Sequence, residues 1–356
     1  MNARETFKRI MKYEKVDHLP TIAFENFEVS VIERWRNEGL PADKSPAEYL
    51  GMDSMVRVPV NFYPYPEFEK QIIYEDENHT ISIDFMGSTV KRVKSNPSMY
   101  YGFIDYPVKS KEDWERYKER FEISQSVRLP ISYIDEMKRL NNSNQPVMLE
   151  FFPFFFRLGF YSMGMERFMT AFYDMPDLIH SMFSYWSNFV LETIKPILPY
   201  IEIDISSFTE DLAYKNGPHI SPQIYKEFFL PYQNTLVDAL KKTDTNIISL
   251  WTAGNIDVLL PMMIENGVNC ILILEQQAGM DPIILRKKYG RKLLTIGGIA
   301  KEALISGPEM IDREIERIMP VIEEGGYIPA IDDMIPPEVP FSHYVYYVKK
   351  MQKIKL

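Results

Sequence analysis

The sequence of 356 residues lacks the features that define several protein classes. Its single cysteine, Cys270, excludes a disulfide framework, and the apolar run around it predicts a buried side chain. No apolar run approaches the roughly 20 residues of a transmembrane helix, so a membrane is not an expected partner. Lys and Arg number 40 against 50 Asp and Glu, and this excess of acid argues against nucleic acid as a partner.

The composition is that of an ordinary globular protein. Hydrophobic residues make up 46% of the chain, which is enough for a large core. Because the start of the chain has no apolar signal segment, we expect a cytoplasmic protein. We predict a single domain over 1–356, with an N-terminal extension and the first strands in 1–140 and regular βα units in 141–356.

Short apolar runs alternate with helical patterns through the second half of the chain. The runs predict strands at 147–152, 201–205, 247–251, 270–274, 293–296 and 327–331, whereas residues 55–107 are typical of hairpins. Strands separated by helices build a parallel sheet. We therefore predict an α/β fold, a TIM (β/α)8 barrel with an N-terminal extension of helices and hairpins, and an open doubly wound sheet is the alternative.

An ordered set of motifs resembles the uroporphyrinogen decarboxylase superfamily. The motifs are Gly217-Pro218 with Ser221-Pro222, residues 251–255, Glu275 with 278–281, Gly297-Gly298 and Gly325-Gly326-Tyr327. Residues 16–20 and 35–41 are more similar to its corrinoid-linked methyltransferase branch than to true uroporphyrinogen decarboxylase. The resemblance implies a TIM barrel whose active site lies at the carboxyl ends of the strands, and either tetrapyrrole decarboxylation or methyl transfer.

The sequence departs from the motifs of that family at two places, and both departures limit the reactions that we expect. Tetrapyrrole decarboxylases carry Arg-Gln-Ala-Gly-Arg near the N-terminus, where this chain has Ile22-Ala23-Phe24-Glu25-Asn26, so a substrate with many carboxylates would be repelled. Thiol-methylating members hold zinc with His-x-Cys and a further Cys, where this chain has Trp251, Ala253 and residues 330–333. Zinc is therefore not expected, and any other metal would have Glu150, His219 and Glu275 as candidate ligands.

The polar residues that follow the predicted strands are the candidate site. Carboxylates at several strand ends, with Asp204 among them, would converge on one face of the barrel and raise the pKa of at least one of them. The alternative is that each is a solvated loop acid or a helix cap, and that the phenylalanines near 154 are core. We predict Glu150, Asp211 and Glu275 as catalytic acids, and as substrate-binding residues Phe154, Arg157, Trp251, Glu210, Gln276, Gly298 and Asp333.

These residues lead to one main functional hypothesis and two alternatives. The main one is an enzyme that moves a methyl group from a small O- or N-methyl substrate, possibly an aromatic one, to a corrinoid on a separate corrinoid-binding protein. An acid at the site would protonate the leaving heteroatom. The first alternative is a decarboxylase or other lyase acting on a small acid anchored by Arg157. The second is a catalytically inactive barrel that binds a ligand.

Overall fold

The structure is a computed structural model that describes residues 1–24, 27–94, 96–243 and 245–356, with the backbone alone for 96–101. Its strands are β1 (Val56–Arg57), β2 (Ile72–Glu75), β3 (His79–Ile83), β4 (Thr89–Val93), β5 (Asn96–Asp105), β6 (Val147–Phe151), β7 (Ile205–Thr209), β8 (Ala213–Tyr214), β9 (Gly217–Pro218), β10 (Ile248–Trp251), β11 (Cys270–Leu272), β12 (Leu294–Ile296) and β13 (Tyr327–Ile328).

Helices alternate with these strands over most of the chain. They are α1 (Ala3–Met11), α2 (Val29–Asn37), α3 (Pro46–Leu50), α4 (Lys111–Lys118), α5 (Gln125–Arg128), α6 (Tyr133–Asn141), α7 (Phe155–Met163), α8 (Met165–Asp174), α9 (Pro176–Ile194), α10 (Pro222–Ile224), α11 (Leu230–Lys241), α12 (Leu260–Glu265), α13 (Pro282–Tyr289), α14 (Lys301–Ser306), α15 (Pro308–Glu324) and α16 (Phe341–Met351). A π-helical segment, Tyr225–Phe229, joins α10 to α11. Within the described residues, no helix has both the length and the apolar character needed to cross a membrane.

The main sheet is parallel and follows the order of the chain. Over the described residues its seven strands run β1-β6-β7-β10-β11-β12-β13, and all neighbours are parallel. A doubly wound sheet reverses its strand order at a switch point, so the alternative fold is wrong. In the N-terminal extension, the segment around residue 22 forms an isolated parallel bridge, from Ile22 to Asp53. The α/β fold is confirmed, and the sheet has one strand fewer than the eight predicted.

The predicted hairpins lie outside this sheet. Strands β2, β3, β4 and β5 form an antiparallel meander in chain order, with Ile81 opposite Lys91 in the central pair. Register shifts interrupt the outer pairs, as expected where bulges twist the strands of a small sheet. The hairpin prediction for 55–107 is confirmed, and β1 in the same segment joins the main sheet instead.

One predicted strand is displaced along the chain. Residues 201–205 were predicted as a strand, whereas β7 is Ile205–Thr209. The alternation of isoleucines misleads because Ile201 and Ile203 are buried in the loop before the strand. Inside β7, Ser206 is also buried, where its hydroxyl donates to the carbonyl of Ile247 at 3.3 Å.

This shift moves one predicted site residue to the opposite edge of the sheet. Asp204 precedes β7, so it lies at the amino edge and is not part of the candidate site. There one carboxylate oxygen accepts a hydrogen bond from Arg4 Nε at 2.8 Å and another from the Val147 amide at 2.7 Å. The prediction that Asp204 belongs to the site is wrong, because the strand begins after it.

Neighbouring residues of each strand face two different hydrophobic clusters. In β6, Leu149 and Phe151 belong to the cluster that includes α9 and α11, whereas Met148 belongs to the cluster that includes α1, α15 and α16. Both faces of the sheet are therefore covered, as a parallel sheet requires. Cys270 in β11 is fully buried, which confirms the prediction made from its apolar surroundings.

Candidate active site

The candidate site lies along the carboxyl edge of the main sheet. Because the strands are parallel, the segments that follow them emerge at the same edge. The predicted residues on this edge fall into two groups. The first lies at or just after the ends of β6 and β7 and contains Glu150, Glu210, Asp211 and Arg157. The second lies at or just after the ends of β10, β11, β12 and β13 and contains Trp251, Glu275, Gln276, Gly298 and Asp333.

Glu150 in the first group bridges three strands. One of its carboxylate oxygens accepts from Arg57 Nε of β1 at 2.7 Å, and the other accepts from the Thr209 hydroxyl of β7 at 3.1 Å. The side chain of Glu150 is about one-fifth exposed. Sequence reasoning missed Arg57, although a lone arginine within the apolar residues 55–60 was a signal for a paired charge.

Glu210 is buried and caps a helix. Its two carboxylate oxygens accept the backbone N–H groups of Phe156 and Arg157, at 2.9 and 3.1 Å, in the first turn of α7. Burial raises the pKa of Glu210 to about 8, and these two hydrogen bonds oppose the shift only in part. The residue predicted to bind substrate therefore holds the helix in place against β7.

Arg157 and Asp211 face each other loosely. Arg157 Nη2 lies 4.0 Å from Asp211 Oδ2, and Nη1 donates to the Tyr161 hydroxyl at 3.3 Å. The guanidinium also sits 5.4 Å from the centre of the Phe152 ring. Its buried Nε has no hydrogen-bond partner in the described part of the chain. Arg157 is therefore a cation of this group that can still donate a hydrogen bond.

The phenylalanines near residue 154 form core. Phe154 is 1% exposed and stacks on Phe208, with the ring centres 4.4 Å apart. The structure therefore places Phe154 away from the site surface, because α7 begins immediately after it and turns its ring inward. His219 stacks on Phe156, and burial lowers its pKa.

An apolar pocket occupies the second half of the edge. Its cavity volume is about 30 Å³, which is room for a water molecule or a single methyl group. Its wall is formed by Phe24, Trp251, Leu272, Ile273, Ile296, Gly297, Ala330, Ile331, Asp333 and Met334.

One wall residue, Ile273, is held in a strained conformation. Its φ is +66°, which β-branched residues rarely adopt and which costs on the order of 1–3 kcal/mol. Its amide donates to the carbonyl of Ile296 at 3.0 Å. Such strain is concentrated at functional sites in proteins, which supports the pocket as the place of function.

A lysine and several carboxylates stand behind this pocket. Lys301 Nζ pairs with Asp333 at 3.0 Å, and the Lys301 amide donates to Asp332 at 3.1 Å. Burial opposes the charge of Lys301, but Asp333, Asp332 and Glu275 together raise its pKa. Burial also raises the pKa of the fully buried Asp332 to about 7. Sequence reasoning missed Lys301, and its place three residues after Gly297-Gly298 was the available signal.

Three further predicted residues join the loops of this edge. Glu275 accepts the N–H of Gly254 at 3.1 Å. The Gln276 amide donates to the carbonyl of Gly298 at 2.6 Å and also to the Glu314 carboxylate. At Gly298, φ is +82° and a Cβ would lie 2.8 Å from Pro282 Cδ, so only glycine fits there without strain.

Comparison with known proteins identifies the family. The family model described as "Uroporphyrinogen decarboxylase (URO-D)" matches residues 2–354. The chain belongs to the uroporphyrinogen decarboxylase family. It is 27% identical to the uroporphyrinogen decarboxylase of Crocosphaera subtropica over 44% of this chain and 42% of that enzyme. It is 25% identical to the one of Trichodesmium erythraeum over 50% of this chain and 48% of that enzyme. The chain thus spans less than half the length of these curated relatives that it matches.

A solved structure shares the whole fold. A methyltransferase from Methanosarcina mazei superposes with a TM-score of 0.64 at 13% identity, covering 99% of this chain and 98% of that chain. At this identity the likeness establishes the fold and no activity. The uroporphyrinogen decarboxylase family fold is therefore present over nearly the full length of the chain.

Neither of the two known ligand sets of the uroporphyrinogen decarboxylase family fits the described residues. The wall of the pocket contains no Arg or Lys among them, so no guanidinium there can hold substrate carboxylates. Of the segment that replaces the arginine motif, Phe24 lines the pocket, and Glu25 and Asn26 lie outside the described residues. In the described chain, no three His, Cys, Asp or Glu side chains are grouped to hold a metal ion. Glu150, His219 and Glu275 thus do not form such a group, and Trp251 stands where a zinc ligand would.

Proposed function

We propose that this protein is a methyltransferase that takes a methyl group from a small O- or N-methyl substrate and passes it to a corrinoid carried by a separate protein. The observation that carries the proposal is the apolar pocket with Phe24 and Trp251 on its wall at the carboxyl edge of the sheet. Its volume of about 30 Å³ suits a methyl group, which gains free energy by entering such an apolar site. The fold shared with the Methanosarcina mazei methyltransferase agrees with this choice.

The wall of the pocket also argues against a tetrapyrrole substrate. A polycarboxylate needs several cations to replace its water. The described wall residues instead offer one ionisable group, the carboxylate of Asp333. Uroporphyrinogen is therefore a poor substrate for this pocket.

A corrinoid would act from outside the pocket. A corrin ring is far too large for a volume of about 30 Å³, so another protein would have to present it at the pocket mouth. Met334 on the pocket wall is 44% exposed and could meet such a partner. The corrinoid would supply the cobalt that accepts the methyl group. This chain would bind the substrate, orient its methyl group and exclude water.

The three predicted acids do not line the pocket. Glu150 is engaged by Arg57, Asp211 faces Arg157 and Glu275 accepts the Gly254 amide. For an O-methyl substrate one of them would have to reach the leaving oxygen, because an alkoxide needs a proton to leave. An N-methyl cation makes no such demand.

The proposal is tested by methyl transfer to free cob(I)alamin. The full chain is incubated with a panel of methoxyaromatics and methylated amines, and the absorbance change from cob(I)alamin to methylcobalamin is followed. We expect turnover with at least one class, and we expect Trp251→Ala to lower kcat/KM by about 10- to 100-fold because the variant loses part of the pocket wall.

Tyr173→Ala is the matched control, since Tyr173 is 74% exposed and lies in α8. It should leave the rate unchanged. Absence of turnover across the panel, with the corrinoid shown to be reduced, would contradict the methyltransferase proposal. Ligand-induced stabilisation without any turnover would instead favour the inactive binding barrel.

A decarboxylase of a small acid is the second candidate. It is favoured by Arg157, whose guanidinium has spare hydrogen-bonding capacity and can anchor a carboxylate. Release of carbon dioxide without any corrinoid, abolished by Arg157→Met, would support this function over methyl transfer.

We also propose that the main sheet closes into the eight-stranded barrel. The supporting contacts lie at its two ends. The segment around Ile22 bridges to Asp53 beside β1, and Phe27 bridges to Ile335 beyond β13. Phe24 lines the same pocket as Ile331, as expected if this segment fills the gap between β13 and β1.

A further inference from the structure

The chemical character of the pocket wall is specific. Phe24 and Trp251 contribute aromatic rings, Met334 a thioether, and most of the other described wall residues aliphatic groups. The one ionisable group among them is Asp333, whose side chain is about one-third exposed. Aromatic faces carry partial negative charge, so both the rings and the carboxylate favour a cation over an anion.

The charges behind the wall add up to a negative excess. Lys301 pairs with Asp333 at 3.0 Å, which by itself would neutralise that carboxylate. Burial lowers the pKa of Lys301, Asp333 raises it most, and Asp332 and Glu275 add to the rise. One lysine therefore stands against three carboxyl groups, and the pocket lies in a field that remains negative while more than one of them is ionised.

We propose that the pocket receives an N-methyl group of a methylated ammonium cation, an inference that names the substrate class and rests on the proposed methyltransferase function. Its N-methyl groups are apolar outside and match the aliphatic wall. Its positive charge is delocalised over those methyl groups and suits the faces of Trp251 and Phe24. The Asp333 carboxylate then supplies the counter-charge at the rim.

This substrate class also fits the absence of a proton donor among the described wall residues. When the C–N bond of a quaternary ammonium breaks, its electron pair stays on nitrogen, and the leaving group is a neutral amine. The methyl group passes to the reduced corrinoid, and no proton is consumed. A methyl ether would leave as an alkoxide and would need an acid, yet Glu150, Asp211 and Glu275 do not line the pocket.

The test compares choline with its neutral carbon isostere, in which a tert-butyl group replaces the trimethylammonium group. Titration calorimetry with the full chain should show choline binding about tenfold more tightly, because only the cation gains from the rings and the carboxylate. Asp333→Asn should remove most of this preference and leave the affinity for the isostere unchanged. Asp135→Asn is the control, since the Asp135 side chain is 84% exposed, and it should change neither affinity.

A second variant distinguishes an electrostatic role of Lys301 from a purely structural one. Lys301→Met removes the cation that competes for Asp333, so it should tighten choline binding and leave the isostere unaffected. A purely structural role for Lys301 would weaken both ligands alike. Equal binding of choline and the isostere by the wild type, or binding of neither, overturns the substrate class.

The two proposals fail in different ways. Turnover of neutral methoxyaromatics without any preference for choline would overturn the substrate class and leave the methyltransferase function standing. Selective binding of choline without methyl transfer to cob(I)alamin from any N-methyl cation would support the site and contradict the methyltransferase function.

Discussion

Buried carboxyl groups show most directly how single residues of this chain depend on their surroundings. Glu210 and Asp332 each follow a strand, as catalytic acids do in parallel sheets, and each is almost completely buried. Burial raises the pKa of Glu210 to about 8 and that of Asp332 to about 7. Near pH 7 the neutral form is therefore favoured for Glu210, and Asp332 is divided about equally between its neutral and its charged form.

A pH dependence of stability follows for Glu210. Its pKa is about 8 in the folded state against an ordinary value of 4.5, so the folded state binds more protons between these values. The free energy of unfolding should therefore fall as the pH rises from about 4.5 to 8, by up to roughly 4 kcal/mol for this group. Glu210→Gln should remove this component, as measured by urea unfolding at several pH values. Glu309→Gln, at a side chain 79% exposed, should leave the pH profile unchanged. A profile equally steep in Glu210→Gln and the wild type would refute this account.

At the scale of elements, the turns after the strands determine the shape of the pocket. Gly297 follows β12 with φ +116°, and a Cβ there would lie 3.0 Å from the Leu274 amide nitrogen. This close approach brings the turn after β12 against the chain that leaves β11, where Ile273 lines the pocket. The pocket wall thus depends on the absence of a side chain at residue 297.

A pair of glycine variants isolates that close approach. Gly39 has nearly the same φ, +112°, but a Cβ there would meet nothing within 4 Å. Alanine at either position pays the same backbone strain. We expect Gly297→Ala to lower the free energy of unfolding by about 1–2 kcal/mol more than Gly39→Ala, measured by urea unfolding. Equal losses would mean that the backbone conformation alone requires glycine at residue 297.

Over the whole molecule, the N-terminal helix α1 is fastened to the amino edge of the sheet, opposite the candidate site. Arg4 Nε donates to Asp204 at 2.8 Å, and its other nitrogens reach the carbonyls of Asn141 and Glu202 at 2.7 and 3.1 Å. Arg4 thus links α1, α6 and the start of β7, which are far apart in sequence. The amino edge is thus tied to the N-terminal helix and the carboxyl edge carries the candidate site, which is the division between stability and function known from TIM barrels.

Removing the Arg4 side chain should lower the free energy of unfolding. Arg4→Met would leave Asp204 buried with Lys8, at 3.1 Å, as its remaining cationic partner, so we expect a loss of about 2–3 kcal/mol in the free energy of unfolding. Arg9→Met is the matched control, because Arg9 is 44% exposed and pairs with Glu5 of the same helix, and it should change stability by less than about 0.5 kcal/mol. Adding Asp204→Asn to Arg4→Met should recover part of the loss, as double-variant unfolding experiments would reveal.

The positions of elements with a periodic sequence pattern were predictable, and the contacts between residues distant in sequence were not. Strands such as β12 follow local patterns, so their positions were close to those predicted. The strand β7 was misplaced because it buries the polar residues Ser206 and Ser207, and the Ser206 hydroxyl donates to the carbonyl of Ile247 beside the neighbouring strand. In the same way Trp251 and Asp333 were foreseen as site residues that the structure brings to one pocket, whereas Lys301 became visible only through the carboxylates folded around it.

By itself, the sequence determined the α/β class, the alternation of strands and helices and the edge of the sheet where the site lies, because hydrophobic periodicity and strand-end polarity are local properties. The tertiary structure alone decided the roles of the acids. A carboxylate after a strand can cap a helix, as Glu210 does, clamp the opposite edge, as Asp204 does, or face a pocket, as Asp333 does. Its role depends on burial and on partners that are distant in sequence, and both arise only when the chain folds.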